Sequence, residues 1–118
     1  MMPGRKYTPC EAYFTLDLLR GRWKACILLE LWPGPMRTGQ LMRALGGIAK
    51  NRLNDNLRQL ESSGFVRRKS YKERIPRVEY ELTPLGNSLC PVMESLHEWA
   101  LSNKSKVRQC REARRHRL

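Results

Sequence analysis

The chain has 118 residues, 41% of them apolar, which suits one folded domain with its own core and leaves no room for a second of ordinary size. Its formal net charge is +12, from 23 Lys and Arg against 11 Asp and Glu, so polyanions are attracted: nucleic acid first, anionic membrane surfaces second. No run of about 18 apolar residues is present to cross a membrane, and the basic start has no apolar stretch behind it that would make a signal peptide. The four cysteines lie too far apart for a zinc knuckle or a thioredoxin-type pair. The expectation is a cytoplasmic protein with free thiols, no cofactor and no bound metal.

Residues 1–9 read as a polar arm. Thr8-Pro9-Cys10-Glu11 has the form of a capping box, with Thr8 as N-cap, Pro9 at the first helical position and Glu11 reaching back to the cap. Leu16 and Leu19 continue the apolar face of this first helix, and Gly21 ends it. Residues 22–32 form a second helix that is apolar nearly all round, which marks it as the centre of the core; Cys26 falls inside it and reads as core. Pro33-Gly34-Pro35 stops it.

Residues 36–45 predict a short amphipathic helix with Leu41, Met42 and Leu45 at helical spacing. Gly46-Gly47 is a tight turn. Residues 48–63 form a fourth helix with Leu53, Leu57 and Leu60 on one side and Lys50, Asn51, Asn54, Asp55 and Arg58 on the other. The period then changes to two. Residues 65–71 and 77–83 read as strands, the second by strict alternation of Val78, Tyr80 and Leu82 with Arg77, Glu79 and Glu81. Lys72-Glu73-Arg74-Ile75-Pro76 is the hairpin tip.

Thr83-Pro84 is a second cap and first-position pair. From there Leu85, Leu89, Val92, Leu96 and Trp99 form a heptad-like seam, with Cys90 reading as packing and His97 beside the seam as an interface residue. After Ser102 the composition turns basic. Seven cations stand against Glu112 alone, half of the whole chain's net charge. The division is therefore an arm over residues 1–9, a domain over 10–102 and a basic tail over 103–118. For the tail two readings stand, a non-specific nucleic-acid arm and a disordered extension.

Two helices joined by a Gly turn and followed by a hairpin have the layout of a helix-turn-helix with a wing. In that geometry the second helix enters the major groove and the wing straddles neighbouring phosphates. Lys50, Asn51, Arg52, Asn54 and Arg58 would face the bases, Asn being suited to adenine and Arg to guanine. Arg67, Arg68, Lys69, Lys72, Arg74 and Arg77 would supply phosphate contacts, with Arg37 touching the backbone as well. A polar helix face and a basic hairpin tip are each common on any soluble surface; their order on a +12 chain is what points to DNA. Catalysis lacks its parts: the only aspartates are Asp17 and Asp55, and there is no paired carboxylate, Ser/His/Asp set or phosphate loop, so the chain does not read as an enzyme.

Specific blocks then carry a resemblance. Gly21-Arg22-Trp23, Gly47-Ile48-Ala49, Leu57-Arg58-Gln59-Leu60-Glu61 and Gly64-Phe65-Val66 are similar to segments of the HxlR-type regulators. Pro76-Arg77-Val78-Glu79-Tyr80-Glu81-Leu82-Thr83-Pro84-Leu85-Gly86 resembles that family's most specific block. The resemblance covers about residues 10–99. It implies a mainly α fold with a small β-hairpin, a winged helix-turn-helix that dimerises through its N- and C-terminal helices. It further implies a homodimer on a palindromic double-stranded DNA operator, with a small-molecule or oxidant effector.

In some members of that family an N-terminal cysteine aligned with Cys10 senses oxidants or electrophiles. At the second position of a capped helix, near Arg5 and Lys6, Cys10 would sit at the positive end of the helix dipole, which favours thiolate, while Glu11 opposes it. The chain departs from the family pattern at Thr38, where an aromatic is usual, and at Ala49, where a Ser would cap the recognition helix. It departs again at Ile75, in place of the first of two prolines, and in the tail. The alternative function is a non-specific RNA- or nucleoid-binding basic protein.

Overall fold

In the computed structural model, residues 10–117 are described, and they form five helices and one hairpin. The order is α1 (Glu11–Leu18), α2 (Lys24–Leu31), α3 (Thr38–Leu45), α4 (Lys50–Ser62), β1 (Val66–Tyr71), β2 (Arg77–Leu82) and α5 (Pro84–Arg117). The arm, the Thr8 cap and Arg5 and Lys6 lie outside the described residues.

The core is built by α2 and α4. Ile27, Leu28 and Leu31 of α2 are buried together with Leu53, Leu57 and Leu60 of α4, and Leu41, Phe65, Val66 and Met93 close around them. Each fully buried side chain of this kind contributes about 1.5–3 kcal/mol relative to exposure. The core is thus one-sided on α2. Cys26, expected inside, is exposed, because it lies on the side of the helix turned away from α4. Its thiol reaches only the Arg22 carbonyl at 3.9 Å.

Helix α3 ends at Gly46, whose φ of +56° is the left-handed conformation that stops a helix, and Gly47 follows at +131°. Gly46 N–H closes the end by donating to the Met42 carbonyl at 3.1 Å. This turn sets α4 against α3. At the other end of α3 the Gln40 side-chain oxygen accepts the Arg37 N–H at 2.8 Å, the return half of a capping box.

The hairpin is antiparallel, with Val66 opposite Leu82 and Tyr71 opposite Arg77. Met36 adds a one-residue bridge to its open edge, exchanging both backbone hydrogen bonds with Tyr80 at 3.0 and 2.8 Å. That bridge ties the start of the helix-turn-helix to the wing.

Thr83 caps α5, as the sequence suggests. Its hydroxyl accepts the Gly86 N–H at 3.1 Å and donates to the Gly64 carbonyl at 2.6 Å. Cys90 is fully buried, its thiol 3.7 Å from the Leu28 carbonyl, and burial pushes its pKa up. This is the setting of a packing residue. Helix α5 runs unbroken for 34 residues, so the basic segment continues the helix and is not an unstructured extension. At 1.5 Å per residue it is about 50 Å long, most of the molecule's 62 Å long axis. Pro91 removes one N–H from it, at an exposed position where water reaches the freed carbonyl.

Helix α1 differs from the rest. It has eight residues and buries none of them, leaving Tyr13, Phe14 and Leu16 exposed. Cys10 is its N-cap, one position outside the helix and not at its second residue as expected, and its side chain makes no capping bond.

Ala49 is the N-cap of α4 in extended conformation, φ −73° and ψ 146°, with no side-chain bond to the helix. That is the backbone a serine cap adopts. Ala49→Ser is expected to raise stability by about 1 kcal/mol, seen as a higher urea midpoint at fixed protein concentration with an unchanged slope.

Candidate nucleic-acid interface

Helix α4 shows its apolar row to the core and its polar residues outward. Lys50, Asn51, Arg52 and Arg58 are exposed and Asn54 is half-buried. Lys50, Asn54, Arg58 and Glu61 of α4 line a groove together with Arg68, Val78 and Tyr80 of the hairpin and Thr38 of α3. Asn51 and Arg52 line a second cleft with Arg20, Arg22 and Lys24, at and just before the start of α2. Arg37 and Arg77 meet in a third depression, between the N-terminus of α3 and β2, together with Arg43. Lys72 and Arg74 stand exposed at the wing tip beside Ile75, which is 81% exposed. The expected residues of α4, with Arg37, Arg68 and Arg77, therefore line these three depressions, whereas Arg67, Lys69, Lys72 and Arg74 line none of them.

Their cations are not equally available. Arg58 pairs with Asp55 at 3.0 Å, one turn away, but both are well exposed, and such pairs contribute little and are readily exchanged for a phosphate. Arg77 is more firmly committed. It pairs with Glu73 at 3.1 Å and Glu79 at 3.2 Å, and its guanidinium lies 4.1 Å from the centre of the Tyr71 ring. Arg77 thus clasps the base of the wing tip. Lys69 and Arg67 share the Glu81 carboxylate at 2.9 and 3.1 Å. Among the described residues, Arg37, Lys50, Arg52, Arg68, Lys72 and Arg74 form no ion pair.

Of the wing cations expected on phosphates, Arg68 is the one the fold turns into the groove. Residues 66 and 68 share the face that pairs with Leu82 and Tyr80, turned towards α4, whereas 67 and 69 share the outer face with Glu81 and Glu79. Arg43 and the Arg20–Lys24 group were not marked by sequence; they enter only through the fold, which brings the ends of α2 and α3 beside α4.

The Glu81 carboxyl is held below its ordinary value of 4.5, first by the Lys69 hydrogen bond and then by Lys69 and Arg67 charge, against partial burial that pushes it up. Lys69 is raised above 10.5 by the same contact.

A helix-turn-helix whose second helix is open to solvent and flanked by a basic hairpin is the architecture of winged-helix transcription regulators. Comparison with known proteins agrees. The HxlR-like helix-turn-helix family matches residues 18–108, and the chain belongs to that family. The uncharacterized HTH-type transcriptional regulator YkvN of Bacillus subtilis is 41% identical over 90 residues, 76% of each chain. YtfH of Escherichia coli, an uncharacterized regulator of the same type, is 34% identical over 89% of this chain and 83% of its own. Among solved structures, the redox regulator HypR in its reduced form superposes with a TM-score of 0.79 at 33% identity, covering 84% of this chain and 98% of that one. The reduced transcriptional regulator YodB of B. subtilis gives 0.68 at 30% identity, covering 85% and 91%.

The Glu81 fork has a defined pH signature. A carboxyl whose folded pKa is depressed contributes fully above its unfolded value, and that contribution is lost as pH falls through the folded one. The stability difference between wild type and Glu81→Gln is therefore expected to be constant near neutrality and to shrink below pH 4.5. Urea midpoints of the two proteins across that range measure it; a difference that does not change with pH would show that the fork does not act on stability.

Proposed function

We propose that this protein is a homodimeric transcriptional regulator that binds a palindromic DNA operator, with α4 of each protomer in a major groove and each wing along the adjoining backbone. The observation that carries the reading is the groove between α4 and the hairpin. It sets base-reading types, Lys50 and Asn54, within one depression with the unpaired Arg68. Asn51 and Arg52 extend the same helix surface, and Arg37, Lys72 and Arg74 take phosphates on either side. Two half-sites about one helical turn apart follow from the two-fold symmetry.

Dimerisation is supported by what the single chain leaves uncovered. An isolated eight-residue helix is marginal in water, and α1 has no buried residue of its own. On α5, Leu85, Val92, Leu96 and Trp99 are each 47–60% exposed along one seam. Joining these surfaces between two copies buries both.

The operator reading is tested by titrating the protein on its own upstream intergenic DNA and on a scrambled duplex. A preference of about 1,000-fold or more is expected for the native site. Asn51→Ala is expected to reduce that preference by about 5- to 150-fold, the 1–3 kcal/mol of a lost base contact. Equal, steeply salt-dependent binding to both duplexes would support the non-specific RNA- or nucleoid-binding reading instead.

We also infer that Cys10 couples the protein to oxidants. It is the N-cap of α1, which the dimer reading places at the interface, and two structural neighbours are described as redox or quinone-bound regulators. Its thiolate attacking a peroxide oxygen gives a sulfenic acid and releases hydroxide, placing a polar group at that interface. Cys26 and Cys110 are also exposed and must be controlled for. In a Cys26→Ser, Cys110→Ser background, peroxide is expected to lower operator affinity, and adding Cys10→Ser is expected to abolish the response. An unchanged response would exclude Cys10.

A further inference from the structure

Towards its C-terminal end, α5 carries a feature the operator-binding reading does not use. Lys104, Arg108, Arg111 and Arg115 follow one another at intervals of four, three and four on an unbroken helix. At 3.6 residues per turn they fall within about 60° of one another around the axis. All four are exposed and, among the described residues, none is in an ion pair. Because the segment is helical, these charges form a row and not a diffuse cloud.

The row has a definite place. It prolongs the face of α5 that carries Gly86, Cys90 and Met93, which are buried on the protomer's own body. The apolar seam of Leu85, Val92, Leu96 and Trp99 lies about a third of a turn away. A dimer closed through the seam therefore leaves the row free.

We propose that this row is a second, sequence-independent DNA-binding surface that holds duplex phosphates outside the base-reading contacts of α4. Its chemistry selects the partner. Four guanidinium and ammonium groups spread over about 17 Å of helix match the phosphate backbone of a duplex, which presents about ten charges over that length. A single strand is a poorer fit, because binding it calls for aromatic platforms on which bases stack, and residues 100–115 contain no aromatic side chain. A bilayer is a poorer fit as well. Between Ser105 and Arg114 the apolar side chains are only Val107, Cys110 and Ala113, too little to enter the acyl region. The choice of DNA rests on the proposed operator binding, which keeps duplex at high local concentration around the row; the row itself does not.

The test uses the full-length protein and the variant Lys104→Gln, Arg108→Gln, Arg111→Gln, Arg115→Gln, which keeps good helix formers at every position. Binding to a random-sequence duplex and to the native upstream duplex is measured over a salt series, with helicity checked by circular dichroism. The slope of log affinity against log salt is expected to fall by about 3–4 on both duplexes. Between about 50 and 200 mM salt, wild type then loses about 100-fold more affinity than the variant, and the preference for the native duplex is retained. An unchanged slope would overturn the proposal, as would loss of preference, since the row would then take part in reading sequence. Binding of wild type but not variant to phosphatidylserine vesicles, with the DNA slope unchanged, would assign the row to membranes. Failure of operator recognition is separately visible, as wild-type protein that binds the native and random-sequence duplexes equally.

Discussion

The geometry of the interface depends on one close approach, where the backbone at Gly86 meets that at Phe65. A Cβ built on Gly86 would lie 2.1 Å from the Phe65 carbonyl oxygen, a distance no side-chain carbon can occupy. Around this contact Thr83 ties three segments together: its hydroxyl donates to the Gly64 carbonyl, its N–H donates to the Phe65 carbonyl at 3.0 Å, and it accepts the Gly86 N–H. The end of α4, the entry to β1, the exit from β2 and the start of α5 thus meet within a few residues. The wing has little freedom to change its angle to α4, so the groove holding Lys50, Asn54 and Arg68 is preformed. The same junction anchors α5, so any change transmitted along α5 from the far end arrives beside the wing.

Much of this was legible in the sequence because local signals agreed. The Gly46-Gly47 turn, the Leu53, Leu57, Leu60 row, the alternation from Arg77 to Leu82 and the Thr83-Pro84 cap each name one conformation. What escaped did so for physical reasons. The all-round apolar character of α2 could not say which side meets α4, so Cys26 was expected in the core and lies outside it. A cap at Thr8 could not be weighed against one at Cys10 from residue types alone. The Met36–Tyr80 bridge involves one residue on its side and leaves no periodic trace. The length of α5 was legible in principle: after Pro91 there is no Gly or Pro, and Lys, Arg, Gln, Glu and Ala are good helix formers. The change in charge at Ser102 drew attention away from an unchanged propensity.

Acidic residues on the wing decide which of its cations stay unpaired. Glu81 holds Arg67 and Lys69 on the outer face, and Glu73 and Glu79 hold Arg77 at the base of the tip. These pairs neutralise part of a strongly basic hairpin in the unbound protein and keep it from repelling itself. Arg68, on the opposite face and without a carboxylate partner, is left for the groove. A pair such as Arg58–Asp55 is different, since both members are exposed and the exchange of carboxylate for phosphate costs little.

The division of labour follows from where charge and hydrogen-bonding groups are placed. Reading a sequence requires groups held in fixed register against base edges, which is what a rigid core beneath α4 and a locked wing supply. Holding a duplex requires only charge at phosphate spacing, and for that a solvent-exposed helix is sufficient. In the proposed reading the chain keeps the two apart: Asn51 and Asn54 stand among the cations of α4, and a further row of cations lies along α5. Concentrating all of this charge on α4 would raise affinity for every sequence equally and lower the fraction of binding energy that discriminates. A row on α5 would add affinity without placing more charge against the bases, and would let the salt dependence of binding vary independently of its specificity.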